Sequence, residues 1–172
     1  MTRSHSPSRR RALTALTLLA AAPLARAAGY DAAPEFTGIA AWLNSEPLTI
    51  AALRGQVVMV NFWTYGCINC VHVVPHIVQW HEKYAARGLT VVGVHAPEFP
   101  PERDTGNVKK AIQRHGIRYA VAQDNEFATW NAYRNRFWPT IYLVDRRGQL
   151  VYGHVGEGAY DETERTIGRL LG

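Results

Sequence analysis

The chain has 172 residues, 47% of them hydrophobic and 19% charged, so it can bury a core and is not a disordered polymer. Its 19 Lys and Arg exceed its 14 Asp and Glu, but five arginines (Arg3, Arg9, Arg10, Arg11, Arg26) fall in the first 27 residues, which hold no acid. From Ala28 onward the two signs balance at 14 each, which leaves no basic patch to grip nucleic acid.

Ser8-Arg9-Arg10-Arg11 opens a basic segment, and residues 12–25 follow as an uncharged, mostly apolar stretch. A membrane span needs roughly 20 such residues, so this one is too short to cross and stay. Ala25-Arg26-Ala27 places small residues where a signal peptidase reads them. The expectation is a cleaved signal over residues 1–27, cut near Ala27, and a single exported domain over 28–172 that does not span the membrane. The run Ser8 to Leu13 suits the twin-arginine route as well as the general one.

Residues 39–43 and 48–50, separated by Asn44-Ser45-Glu46-Pro47, predict a short N-terminal hairpin. Residues 56–63 (QVVMVNFW) are β-branched and continuously apolar, the signature of a strand buried on both faces. Residues 67–86 predict a helix with apolar positions Ile68, Val71, Val74, Ile77, Val78 and Ala85, kinked at Pro75 and stopped at Arg87-Gly88. Residues 89–95 (LTVVGVH) predict a second buried strand, parallel to the first through a right-handed crossover. A Pro-rich loop over 96–104 leads to a short amphipathic helix through Val108, Ala111, Ile112 and His115. Residues 119–122 predict a strand, and Asn125 a cap for a helix reaching Tyr133. Residues 140–144 and 150–155 predict a hairpin about Asp145-Arg146-Arg147-Gly148, and 162–171 a terminal helix. The sum is an α/β domain, a mixed sheet with helices on both faces.

The only cysteines, Cys67 and Cys70, stand where the first long strand meets its helix. Unpaired N–H groups and the helix dipole favour an anion at that end, so they stabilise a Cys67 thiolate. Cys70 follows one turn later. Cys67 therefore attacks a partner disulfide and Cys70 resolves the mixed disulfide. Covalent haem requires His directly after the second cysteine, where Val71 stands instead. Structural zinc requires four ligands and there is one pair. A copper carrier joining the thiolates to His72 or His76 stays open, since soft sulfur suits Cu(I).

The run Asn61-Phe62-Trp63, Cys67-x-x-Cys70, Pro75 and then Trp138-Pro139-Thr140 resembles the thioredoxin superfamily. VVMVNFW over 57–63 and VVGVHAPE over 91–98 are similar to the exported TlpA/ResA-type thiol-disulfide oxidoreductases. FWTYGCINC, GVHAPEF and DNEFATWNAYRNRFWPTIYLVDRRG resemble the thioredoxin-like domain of DipZ-type cytochrome c biogenesis proteins. The resemblance implies a thioredoxin-like fold with an N-terminal β-hairpin and a central insert. It implies a periplasmic oxidoreductase, leaning to reductant, that acts on protein thiols and disulfides. No cofactor is implied beyond a redox-active Cys67–Cys70 disulfide, and no metal; the electron donor is a membrane thiol carrier in trans. Pro139 matches the cis-proline beside the disulfide. Glu98 matches the acidic residue near the pair and takes over proton transfer from the buried aspartate that Asn61 replaces. Trp63, Tyr65, Trp138 and Thr140 form the expected rim of the substrate site. A thiol peroxidase is the rival within enzymes, because Thr64 stands three before Cys67, but Val60 stands where the peroxiredoxin proline belongs.

Overall fold

The computed structural model describes residues 31–172, with Met1 before them. The expected export signal at 1–27 lies, Met1 apart, outside the described residues. Six strands form one mixed sheet: β1 (Ala41–Leu43), β2 (Val57–Trp63), β3 (Leu89–His95), β4 (Ala120–Gln123), β5 (Thr140–Val144) and β6 (Leu150–Val155). Four helices accompany them: α1 (Ile68–Tyr84), α2 (Thr105–Arg114), α3 (Ala128–Ala132) and α4 (Tyr160–Leu171). Short 3-10 turns lie at Ala85–Arg87 and Pro100–Arg103.

The spatial order is β1-β4-β3-β2-β5-β6. β2 runs parallel to β3, and β3 to β4, while β1, β5 and β6 run antiparallel to their neighbours. Every residue of β2 is buried, because side chains alternate between two covered faces. Val57, Met59 and Trp63 pack with Val73 and Ile77 of α1, Ile112 of α2 and Ile167 of α4. Val58, Val60 and Phe62 pack on the other side with Trp130, Tyr133, Ile50 and Leu53. Each such side chain removed from water contributes about 1.5–3 kcal/mol, so the strand that leads into the Cys67 turn is among the most firmly held in the molecule.

Two expectations are corrected. The N-terminal hairpin over residues 39–50 does not form. Its first arm is β1, which pairs with the distant β4. Its second arm is bent, because the Ile50 and Ala51 N–H groups donate to the Glu35 carboxylate at 2.6 and 2.8 Å while the Ile50 side chain drops into the core. Asn125 does not cap the next helix. The cap position before α3 is held by Phe127 in a left-handed conformation (φ 58°), and the carboxylate of Asp124 accepts the Trp130 N–H at 2.7 Å. The Asn125 amide instead donates to the Arg103 carbonyl at 3.1 Å. α1 runs unbroken through Pro75.

Register gathers the site. Trp63 and His95 end their parallel strands side by side, and the Ala96 N–H donates to the Trp63 carbonyl at 3.1 Å. Thr140 opens β5 opposite Phe62. The turn after β2, the loop after β3 and Pro139 before β5 therefore share one end of the sheet, the end where open α/β sheets carry their chemistry.

Candidate active site

Cys67 is the N-terminal cap of α1 in extended backbone (φ −83°, ψ 115°), and its sulfur accepts the Cys70 N–H at 3.3 Å. A thiol thus does the work that Ser or Asp does at most helix starts. The first turn of α1 holds no acid, which leaves the positive end of the helix dipole available to the sulfur. Cys67 is half-buried, whereas Cys70 is 0% exposed, and both are free thiols. Burial pushes the Cys70 thiol well up. The Cys67 sulfur beside it adds to the rise, Glu98 adds the least, and the Thr64 backbone opposes it.

The expected site residues fall into different surroundings. Glu98 is exposed on the loop after β3, and its charge reaches Cys70. Pro139 is buried, and the Trp138–Pro139 peptide is cis. Of the four expected rim residues, Tyr65 and Trp138 are half-buried, whereas Trp63 and Thr140 are only 1% and 0% exposed. Those two are corrected from rim to core: Trp63 is an inward residue of β2, and the Thr140 hydroxyl donates to the Phe137 carbonyl at 2.8 Å. The Trp138 indole N–H donates to the Ala96 carbonyl at 3.0 Å, tying the loop before β5 to the loop after β3. Ile68, Phe99 and Phe137 are large apolar side chains left exposed by the segments that meet here.

Two further residues belong to the site and went unnoticed in the sequence. His95 is fully buried, edge-on to Trp63 at 5.2 Å and stacked on Tyr65 at 5.7 Å between ring centres. Burial lowers its pKa to about 4, against a smaller upward pull from Glu102. Its Nε2 lies 3.3 Å from the buried Thr64 hydroxyl. Glu102 is 2% exposed and places its carboxylate against the backbone of Gly66. Histidine at the end of a strand buried on both faces is the signal that marks His95. Glu102 had only the weak signal of an acid in the first turn of a short helix.

Among the described residues no group of three or more His, Cys, Asp or Glu is arranged to hold a metal. His72 pairs with Glu157 at 3.1 Å, and His76 stacks on Tyr160 with ring centres 3.7 Å apart. Within those residues no helix is long and apolar enough to cross a membrane.

The profile of the AhpC/TSA family matches residues 30–153. The chain belongs to that family. It is 46% identical over 142 residues to protein DipZ of Mycobacterium bovis, a match that covers 81% of this chain and 20% of DipZ. The chain therefore spans about a fifth of that relative's length. It is 30% identical to the thiol-disulfide oxidoreductase YkuV of Bacillus subtilis, over 80% of this chain and 93% of YkuV. Among solved structures, a thioredoxin-like protein in its oxidised form superposes with a TM-score of 0.76 at 31% identity, covering 83% of this chain and 95% of that one. The mixed sheet flanked by helices is accordingly a thioredoxin-like fold.

Proposed function

We propose that this AhpC/TSA-family chain is an exported thiol-disulfide oxidoreductase that reduces disulfides in protein partners through Cys67 and Cys70. The observation that carries the reading is the half-exposed Cys67 sulfur, seated at the start of α1 and receiving the Cys70 N–H, with Cys70 buried one turn behind it. The Cys67 thiolate attacks one sulfur of a partner disulfide and the other sulfur leaves as a thiolate. Cys70 then gives up its proton and attacks the Cys67 sulfur, and the partner's second sulfur leaves. Two electrons pass from the pair to the partner, and the pair is left as a disulfide. Regeneration falls to a membrane thiol carrier in trans, and the reducing direction follows the resemblance to TlpA/ResA-type proteins. Residues 1–27 serve as the export signal.

Glu98 accepts the Cys70 proton in this scheme. A shielded thiol with a raised pKa needs a base for the second step, and Glu98 is a carboxylate whose charge Cys70 feels. Pro139, flanked by Trp138 at the same end of the sheet as the Cys67 turn, offers the partner backbone a place beside the sulfurs. The deciding experiment is turnover of insulin or a peptide disulfide with dithiothreitol as donor. The wild-type protein should accelerate it and Cys67→Ser should abolish the effect; an inert wild-type protein would overturn the assignment.

A further inference from the structure

Glu102 is a carboxylate in the core that no cation neutralises among the described residues; its oxygens face backbone N–H groups. Oε1 accepts the Gly66 N–H at 2.9 Å. Oε2 accepts the N–H of Glu98 at 2.5 Å and that of Phe99 at 3.0 Å. One side chain thus joins the turn before Cys67 to the loop after β3, 36 residues away. A carboxylate that receives three backbone donors is both stabilised and fixed in direction.

The partner of this contact is chosen by size. A Cβ on Gly66 would lie 2.2 Å from Glu102 Oε1, far inside contact distance, and 3.6 Å from the Phe99 ring. The φ of Gly66 is outside the left-handed range, so glycine is required there for closeness and not for backbone shape. Neighbouring residues repeat the attachment. The Tyr65 hydroxyl donates to the Pro101 carbonyl at 2.9 Å, and Thr64 meets His95 at 3.3 Å. Three consecutive residues ahead of Cys67 are thereby fastened to β3 and its loop.

We propose that Glu102 is a positioning residue for Cys67, latching Gly66 so that the sulfur is held against the first N–H groups of α1; this rests on the thiol-disulfide reading above. A thiolate gains from those groups only while its sulfur faces them. The turn that carries Cys67 is anchored on one side by α1 and on the other by this carboxylate. The charged and titratable groups around the latch are Tyr65 and His95, which both feel its charge, Asp104 and Arg114 toward Tyr65, and Glu98 toward Cys70.

The test follows alkylation of Cys67 against pH, resolved from Cys70 by mass spectrometry, in reduced wild type, Glu102→Ala, Gly66→Ala and the double variant. Each single change should slow Cys67 at pH 7 by about fivefold to tenfold, with the midpoint of its pH profile moved upward. The double variant should be no slower than the slower single one, because both changes break one latch. Glu102→Gln keeps an acceptor for Gly66 but sets its amide nitrogen against the Glu98 and Phe99 N–H groups, so it should recover part of the rate and stay faster than Glu102→Ala. Where Glu102→Ala fails to fold, Gly66→Ala decides alone, since alanine suits that backbone. A folded Gly66→Ala with the wild-type pH profile, or effects that simply multiply in the double variant, overturns the proposal. Disulfide turnover by the wild type is measured alongside. Absent turnover with shifted alkylation in the variants condemns the function and spares the latch, and the converse pattern condemns the latch alone.

Discussion

The backbone N–H of Cys70 points at the sulfur of Cys67 across 3.3 Å, while the Cys70 side chain is wholly buried. Two cysteines three residues apart thereby receive different treatment: Cys67 is offered a helix-end donor and solvent, whereas Cys70 is shut away from solvent.

The first prediction is a difference in reactivity. In the reduced protein at near-neutral pH, a pulse of iodoacetamide should label Cys67 at least tenfold faster than Cys70, on the order expected when one thiol is accessible and the other is desolvated. Cys70→Ser should accumulate mixed disulfides with partner proteins, because the resolving thiol is gone. Faster labelling of Cys70 would reverse the two roles.

Glu98 offers a prediction whose sign discriminates. Its charge adds to the upward pull on the Cys70 thiol. As a bystander charge, its removal in Glu98→Gln would ease ionisation of Cys70 and speed the second step. As the proton acceptor, its removal would slow that step and change the pH dependence, since an amide does not titrate. We expect slowing, by about ten- to a hundredfold, in stopped-flow resolution of a preformed mixed disulfide. Equal or faster resolution removes Glu98 from the mechanism.

What could be read in the sequence was local and repetitive. β2 and β3 announced themselves because a strand covered on both faces must be apolar throughout, and Cys67 fell at a helix start because a buried strand was followed at once by three-to-four apolar spacing. The first arm of the expected hairpin found β4 as its partner, some 80 residues on in its register of Ala41 with Gln123, and alternation says nothing about which strand lies alongside. Glu102 was hidden for the same reason. Its burial comes from Gly66 and a loop crossing at the sheet end, whereas its own neighbours, Pro100, Pro101 and Arg103, read as exposed surface. His95 looked like the polar end of a strand, yet Trp63 and Tyr65 enclose it.

Gly93 supplies a packing prediction. It faces Asn61 in the register of β2 and β3. A Cβ there would sit 3.0 Å from both the Trp63 indole nitrogen and a Tyr119 ring carbon. Both neighbours are themselves buried, so neither can swing out to solvent. Gly93→Ala should cost about 1–3 kcal/mol in urea unfolding, as overpacking does in close-packed cores, with Trp63 fluorescence altered. Unchanged stability would mean that the sheet can yield here.

The last prediction concerns acid. His95 is held near a pKa of about 4 by burial, with Glu102 pulling weakly the other way; the unfolded chain would carry it near 6.5. Between those values the unfolded state binds a proton that the folded state refuses. Stability rises with pH wherever the unfolded state binds more protons, so this group destabilises the fold as pH drops from 6.5 toward 4. The effect is fully developed only below about 4. By pH 4.5 it amounts to on the order of 2 to 3 kcal/mol, at about 1.4 kcal/mol for each unit between the two values. His95→Gln keeps a polar group toward Thr64 and removes the titration. Urea midpoints at pH 7 and pH 4.5 should therefore fall further apart in wild type than in His95→Gln. Comparing the two proteins separates His95 from carboxylates such as Asp124, whose burial raises its pKa and so favours the fold as acid is added. Equal acid sensitivity in both proteins would show that His95 accepts its proton without disturbing the packing of Trp63 and Tyr65 around it.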